Sequence, residues 1–173
     1  VLLEADGEWD PGETARAVVE AIRAREQGGE PYDLFLFGNE AADTGDFQVG
    51  IRVAHALGLP CVTGIKDLEI TDGRAVCKRE VENGWEVYQV PLPAVITVKE
   101  GINLPRYPSL RGTMKAKKKP VDRTRPERAG GGLEMQELRH PPELGKQVEM
   151  LGEGTAAAPK VVELLKSLEV IPS

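Results

Sequence analysis

Metal and disulfide chemistry have little to work with in this sequence. The two cysteines, Cys61 and Cys77, form neither a CxxC pair nor any other ligand spacing, and the two histidines, His55 and His140, stand far apart. A structural zinc site needs four such ligands, so none is expected, and both cysteines read as reduced thiols packed as small hydrophobes. His55 falls on a predicted helix beside apolar neighbours. His140 has Glu137 and Glu143 nearby but no second histidine, so neither ring is assigned metal or acid–base duty. A GxGxxG fingerprint and a Walker lysine are both missing. No apolar run approaches the roughly 18 residues of a membrane-spanning helix, and the N-terminus lacks the basic, apolar and small-residue succession of a signal peptide. The expectation is a soluble, cytoplasmic protein with no direct membrane insertion. Aromatic residues make up only 5%, and none interleaves with the lysines of "KAKKK", which removes the stacking platform that nucleic-acid binding needs.

What is present has a clear rhythm. "VLLEAD" opens without Met on an apolar run that predicts a core strand, as though cut from something longer. "DPGETARAVVEAIRAREQ" (10–27) predicts a helix with Asp10 as N-cap and Pro11 at its first position. "YDLFLFG" predicts a strand buried on both faces, because apolar residues follow one another without alternation. A polar loop leads to a helix over 47–58 that Gly58 stops, and "PCVTGI" supplies a further buried strand. This succession indicates an α/β fold with a mostly parallel sheet. From Leu68 the pattern turns to strict alternation with turn signals at Asp72-Gly73 and Asn83-Gly84, which specify antiparallel hairpins. "PAVITV" (93–98) returns to a buried strand. The connection over 120–154 is rich in Pro, Arg and Gly with little periodicity, as expected of a segment lying along a partner, and an amphipathic helix over 156–169 ends the chain. Two parts follow: an α/β domain over 1–120 and an extended arm with helix over 121–173.

Between the second strand and the second helix the chain reads "GNEAADTGDFQVG". A glycine at the strand end lets the backbone turn sharply, and the helix start offers unpaired N–H groups to an anion. Gly45, Gln48 and Gly50 surround that start, and Asp43 is placed to bond a ribose or to cap the helix. Taken as a bare pattern, a strand-to-helix turn without any ligand is the commoner explanation.

Three stretches together carry a resemblance. "GNEAADTGDFQVG", "CKREVENGWEVYQVPLPAVITV" and "LPRYPSLRGTMKAKKKP" occur in the order and spacing of the β subunit of electron transfer flavoprotein, and the similarity is strongest from Asp33 to Pro120. The resemblance implies an adenine-nucleotide-binding fold of the HUP-like, Rossmann-like type with an antiparallel hairpin insertion and an extended tail. It implies pairing with an α subunit that mainly holds the redox-active FAD, while this subunit holds a structural AMP. Electrons would come from acyl-CoA dehydrogenases and pass to a membrane quinone oxidoreductase, in the cytoplasm of a prokaryote or the mitochondrial matrix of a eukaryote. The subunit would be a carrier with no catalytic residue of its own. By position, AMP falls to Gly38, Asn39, Glu40, Ala41, Ala42, Asp43, Thr44, Gly45, Asp46, Phe47, Gln48 and Val49.

The resemblance further implies that "RYPSLRG" is a recognition loop for partner dehydrogenases, with Arg106, Tyr107, Leu110, Met114, Lys115 and Lys118 in the docking segment and Leu110 as its apolar anchor. Lys115 and Lys118 match positions methylated in mitochondrial members. From Arg111 to Arg128 the chain holds a net charge of +6, which leaves -12 for the remainder. Such a patch speeds encounter with acidic surfaces. Without the resemblance, Leu110 and Met114 at helical spacing would pin a short helix to their own core. Glu80 aligns with a glutamate that contacts the mobile FAD domain in the family, though the residues alone favour a solvent-facing strand residue beside Arg79 and Glu82. Two other functions compete. One is an electron-bifurcating relative binding a second FAD and using NADH, whose loop tends to carry a small residue and a proline where Phe47 and Ile51 stand. The other is a universal-stress-type adenine nucleotide module, whose GxxG…G[ST] loop is missing.

Overall fold

The protein is described by a computed structural model covering residues 1–29, 31–130, 132–142 and 149–172. Gly131 of "AGGG" and Glu143, the residue placed near His140, lie outside the described residues. The chain divides into two compact units, Val1–Glu134 and Met135–Ser173.

The first unit is a three-layer α/β arrangement. Strands β2 (Leu34–Gly38), β3 (Cys61–Ile65) and β7 (Ala94–Val98) form a parallel sheet in the order β2-β7-β3. Helices α1 (Pro11–Gln27) and α2 (Val49–Leu57) cover one face, where Ala15, Val19 and Val53 are buried with Phe37 against them. The other face packs on an antiparallel sheet of β4 (Asp67–Thr71), β5 (Arg74–Val81) and β6 (Gly84–Pro91) through Val62, Ile65, Ala75, Cys77 and Ile96. Alternation assigns each strand residue to a layer: Leu34 meets the hairpin side, Phe37 the helices. Asp72 and Gly73 both take positive φ, 50° and 71°, as a tight two-residue hairpin requires. Gly58 stops α2 at φ 70°. Cys77 is fully buried and Cys61 half-buried; both are free thiols whose pKa values burial raises.

Three features differ from the reading of the sequence. Strand β1 is only Leu2–Leu3, with Leu2 41% exposed, and pairs in parallel with β8 (Arg123–Thr124) rather than joining the core sheet. Strand β2 is not buried on both faces: it is an edge strand, and Leu36 on its hairpin side is 56% exposed. Residues 121–130, expected as part of an arm along a partner, make long-range bonds within the first unit itself. Arg128 Nε donates to Glu13 Oε2 at 3.1 Å, the Gly130 N–H donates to Glu13 Oε1 at 3.2 Å, and the Leu133 N–H reaches Asp10 Oδ2 at 2.9 Å. These partners are more than a hundred residues apart in sequence, so no local pattern announces them.

Asp10 does double duty, since its Oδ1 also accepts the N–H groups of Gly12 and Glu13 at 2.6 and 2.9 Å. The N–H of Glu13 is the main cause that holds this carboxyl below its usual value; partial desolvation opposes it, while Leu133, Gly12 and the Arg52 charge add to it. A depressed acid stabilises the fold above its unfolded pKa and loses that contribution as pH falls through the folded value. Replacing Asp10 by Asn keeps a competent cap but removes the charge. Asp10→Asn is therefore expected to lose less thermal stability than the wild type between about pH 5 and about pH 3, read from unfolding midpoints.

The second unit contains a 3-10 turn at Gly154–Ala157 leading into α4 (Ala158–Ser167), a shorter helix than the expected 156–169. None of its residues is buried, and Val161, Val162 and Leu164 are each at least 40% exposed. Among the described residues no helix is long and apolar enough to cross a membrane.

Candidate functional site

The carboxyl ends of the three parallel strands and the start of α2 meet around residue 39. This is where an open α/β sheet binds ligands, because side chains and helix N-termini converge there without blocking one another. Gly38 ends β2 opposite Val98, and the Asn39 N–H continues the ladder to Val98 O at 3.0 Å. The loop then folds on itself. The Ala41 N–H donates to Asp46 O and the Gly45 N–H to Ala41 O, both at 2.9 Å, with Gly45 at φ 69°. Gly38 to Val49 thus form one compact turn rather than an open excursion.

Gln48 is the residue before α2, and its side chain makes no capping bond; its Oε1 instead accepts Arg52 Nε and a terminal Arg52 nitrogen at 3.1 and 2.8 Å. The first-turn N–H groups of α2 therefore keep no side-chain acceptor, whereas Asp10 caps α1. Three acids stand in the loop. Asp43 Oδ1 takes the Thr44 N–H at 2.9 Å and Asp46 Oδ1 takes Gln48 Nε2 at 3.3 Å, which draws two of those carboxylates into local bonds. Phe47 and Ile51 are 51% and 46% exposed, and Ile51 lines the groove between α1 and α2 with Gly12, Arg16 and His55.

Beneath the loop, Gly50 lets α2 approach the sheet: a Cβ there would lie 2.9 Å from Thr97 Cγ2 and 3.2 Å from Phe37 Cβ. Thr97, 3% exposed, lies in what the sequence presents as an apolar strand. The signal was there, a lone hydroxyl in "PAVITV".

On the hairpin sheet Glu80 accepts from Lys66 Nζ at 2.7 Å; this hydrogen bond, followed by the lysine's charge, lowers the carboxyl pKa. Next to it Arg79 lies over the Tyr88 ring, 4.9 Å from its centroid, and donates to Glu86 Oε2 at 2.8 Å. Lys66 and Glu80 hold β3's exit against β5, so Glu80 is an exposed strand residue with a local partner.

The residues expected to dock partners lie elsewhere. Ser109 caps the short helix α3 (Leu110–Ala116) by accepting the Gly112 N–H at 3.1 Å, and no residue of α3 is buried. Tyr107 is fully exposed, Leu110 79% and Met114 57%, with Arg106, Lys115 and Lys118 exposed around them. Leu110 and Met114 do not pin this helix to a core. Among the described residues no cluster of His, Cys, Asp or Glu has the makings of a metal site.

The comparisons with known proteins agree with this geometry. A family model described as "Electron transfer flavoprotein domain" matches residues 3–129. The chain is 39% identical over 167 residues to "Electron transfer flavoprotein subunit beta" of Syntrophomonas wolfei, which takes in 96% of this chain and 64% of that protein. It is 41% identical over 147 residues to the protein of the same name in Bacillus subtilis, covering 80% and 56% respectively. With "Caffeyl-CoA reductase-Etf complex subunit CarD" of Acetobacterium woodii it shares 40% identity over 89 residues, 51% of this chain and 34% of that one. The chain thus spans less than two thirds of the length of these relatives. Since the matched region holds both the loop at the strand ends and the exposed cationic helix, the chain belongs to the electron transfer flavoprotein family and is similar to its β subunits.

Proposed function

We propose that this chain serves as an electron carrier's β-type subunit that binds AMP as a structural group at Gly38–Val49. It pairs with an α subunit carrying FAD and docks acyl-CoA dehydrogenases through Leu110 and its cationic surroundings. Electrons then leave for a membrane quinone oxidoreductase. FAD supplies the redox chemistry when bound, and this chain's residues orient and dock. The observation that carries the adenylate reading is the start of α2, where the N–H groups of Val49, Gly50 and Ile51 have no side-chain cap at the convergence of three strand ends. A phosphate suits that donor set by charge and by hydrogen bonding. The exposed apolar positions of α4 support the α subunit as the partner of the second unit.

The Acetobacterium woodii relative keeps the bifurcating reading in play, because its printed name places it in a caffeyl-CoA reductase complex. Phe47 and Ile51 favour AMP, since they stand where the bifurcating relatives tend to carry a small residue and a proline. The test is to co-produce the chain with an α subunit, denature the complex and quantify released nucleotide. One AMP and one FAD per heterodimer are expected; two FAD and no AMP would overturn the assignment.

A further inference from the structure

At the floor of the proposed adenylate site, one buried hydroxyl joins three strands. Thr97 Oγ1 on β7 accepts the Gly64 N–H of β3 at 2.9 Å and donates to Asn39 Oδ1, just past β2, at 2.8 Å. A hydroxyl has a single proton, and this one is spent on Asn39. Gly64 makes the arrangement feasible. Its φ of 68° accompanies a break in the β3–β7 register, and a Cβ there would stand 3.3 Å from Asn39 Oδ1. Asn39 is also fixed through its backbone N–H to Val98 O. Asn39 is half-buried, its oxygen and its backbone N–H are both engaged, and no hydrogen bond among the described residues uses its amide nitrogen, which leaves that donor for the crevice.

We propose that Thr97 is a positioning residue of the adenylate site, holding the Asn39 side chain by its oxygen so that the amide nitrogen donates to an oxygen of the bound nucleotide. The inference rests on the adenylate reading above. Thr97, buried and with its proton committed, does not touch the ligand; it fixes which end of Asn39 faces the crevice. An unclamped amide has to be ordered at the moment of binding, and that ordering opposes affinity.

The experiment uses the heterodimer, stripped of nucleotide and titrated with AMP, with flavin absorbance as the check on folding. Thr97→Val is expected to weaken AMP binding about 10-fold and Thr97→Ser to stay within about 2-fold of wild type. Asn39→Ala should match Thr97→Val, and the double variant should be no weaker than either single one, because both changes remove the same contact. Losses that multiply in the double variant, or a serine variant as weak as the valine one, would overturn the positioning role. Should Thr97→Val fail to assemble, Asn39→Ala and Thr97→Ser still decide: an unchanged affinity for Asn39→Ala refutes the proposal. A wild-type heterodimer that binds no AMP defeats the adenylate reading itself, whereas normal wild-type binding with unaffected variants defeats only the role of Thr97.

Discussion

Leu110→Ala is expected to lower kcat/KM for reduction of the assembled flavoprotein by a dehydrogenase of the proposed partner class about 10- to 100-fold, with flavin content and unfolding midpoint unchanged. The magnitude follows from burying one leucine in a partner's apolar pocket, worth about 1.5 to 3 kcal/mol, since every 1.4 kcal/mol is a factor of about ten. Unchanged stability follows from exposure: Leu110 is 79% accessible and α3 contributes nothing to the core, so truncating it removes no internal contact. Salt separates the two components of docking. Raising ionic strength weakens the long-range attraction of the +6 segment from Arg111 to Arg128 and slows encounter, while the leucine contact is not charged. Wild type and Leu110→Ala are therefore expected to lose rate by the same factor as salt rises. A variant that sheds flavin would place Leu110 in the subunit's own architecture, and one with wild-type kinetics would move the docking anchor elsewhere.

What the sequence discloses depends on whether the determining contacts are local. Helix α1 was legible because its cap, its first-turn proline and its apolar face all lie within one stretch, and the hairpin sheet because Asp72-Gly73 fixes a turn whose register then follows. The relation of β2 to its neighbours was not. An edge strand and a central strand share the same apolar composition, and only the pairing with β7 on one side alone leaves Leu36 exposed. The same holds for the segment over 123–133, where charges on Glu13 and Asp10 meet groups that no periodicity connects. At the candidate site, the loop was readable as a loop from its glycines. Its floor was not, because Thr97, Gly64 and Asn39 come from three separate strand ends. The charge of the segment over 111–128 was readable in full because charge is a property of a short stretch; the exposure of Leu110 and Met114 was not, since their helical spacing suits a core-facing pair.

Gly50→Val is expected to cost about 3 kcal/mol of stability and, on the proposed adenylate reading, to release the nucleotide at the same time. The glycine occupies the first turn of α2 with an ordinary helical backbone, so it is not needed for a special φ; it is needed for distance. A Cβ would come within 2.9 Å of Thr97 Cγ2 and 3.3 Å of Phe37 Cγ as well as Phe37 Cβ. Neither neighbour gives way easily: Thr97 is locked by its hydroxyl to Gly64 and Asn39, and Phe37 is seated between the sheet and the two helices. Valine adds two methyl groups beyond that Cβ, so α2 must lift from the sheet. Alanine gives an internal control, because its higher helix propensity, about 1 kcal/mol over glycine, offsets much of a smaller clash. Gly50→Ala is thus expected to lie between wild type and Gly50→Val in urea unfolding of the heterodimer at matched concentration. Lifting α2 also withdraws the N–H groups of Val49, Gly50 and Ile51 from the strand ends, so lost packing and lost nucleotide should appear in the same variant. A valine variant as stable as wild type would show that the helix has room above Thr97. A destabilised variant that still retains AMP would show that the phosphate is not held by the start of α2.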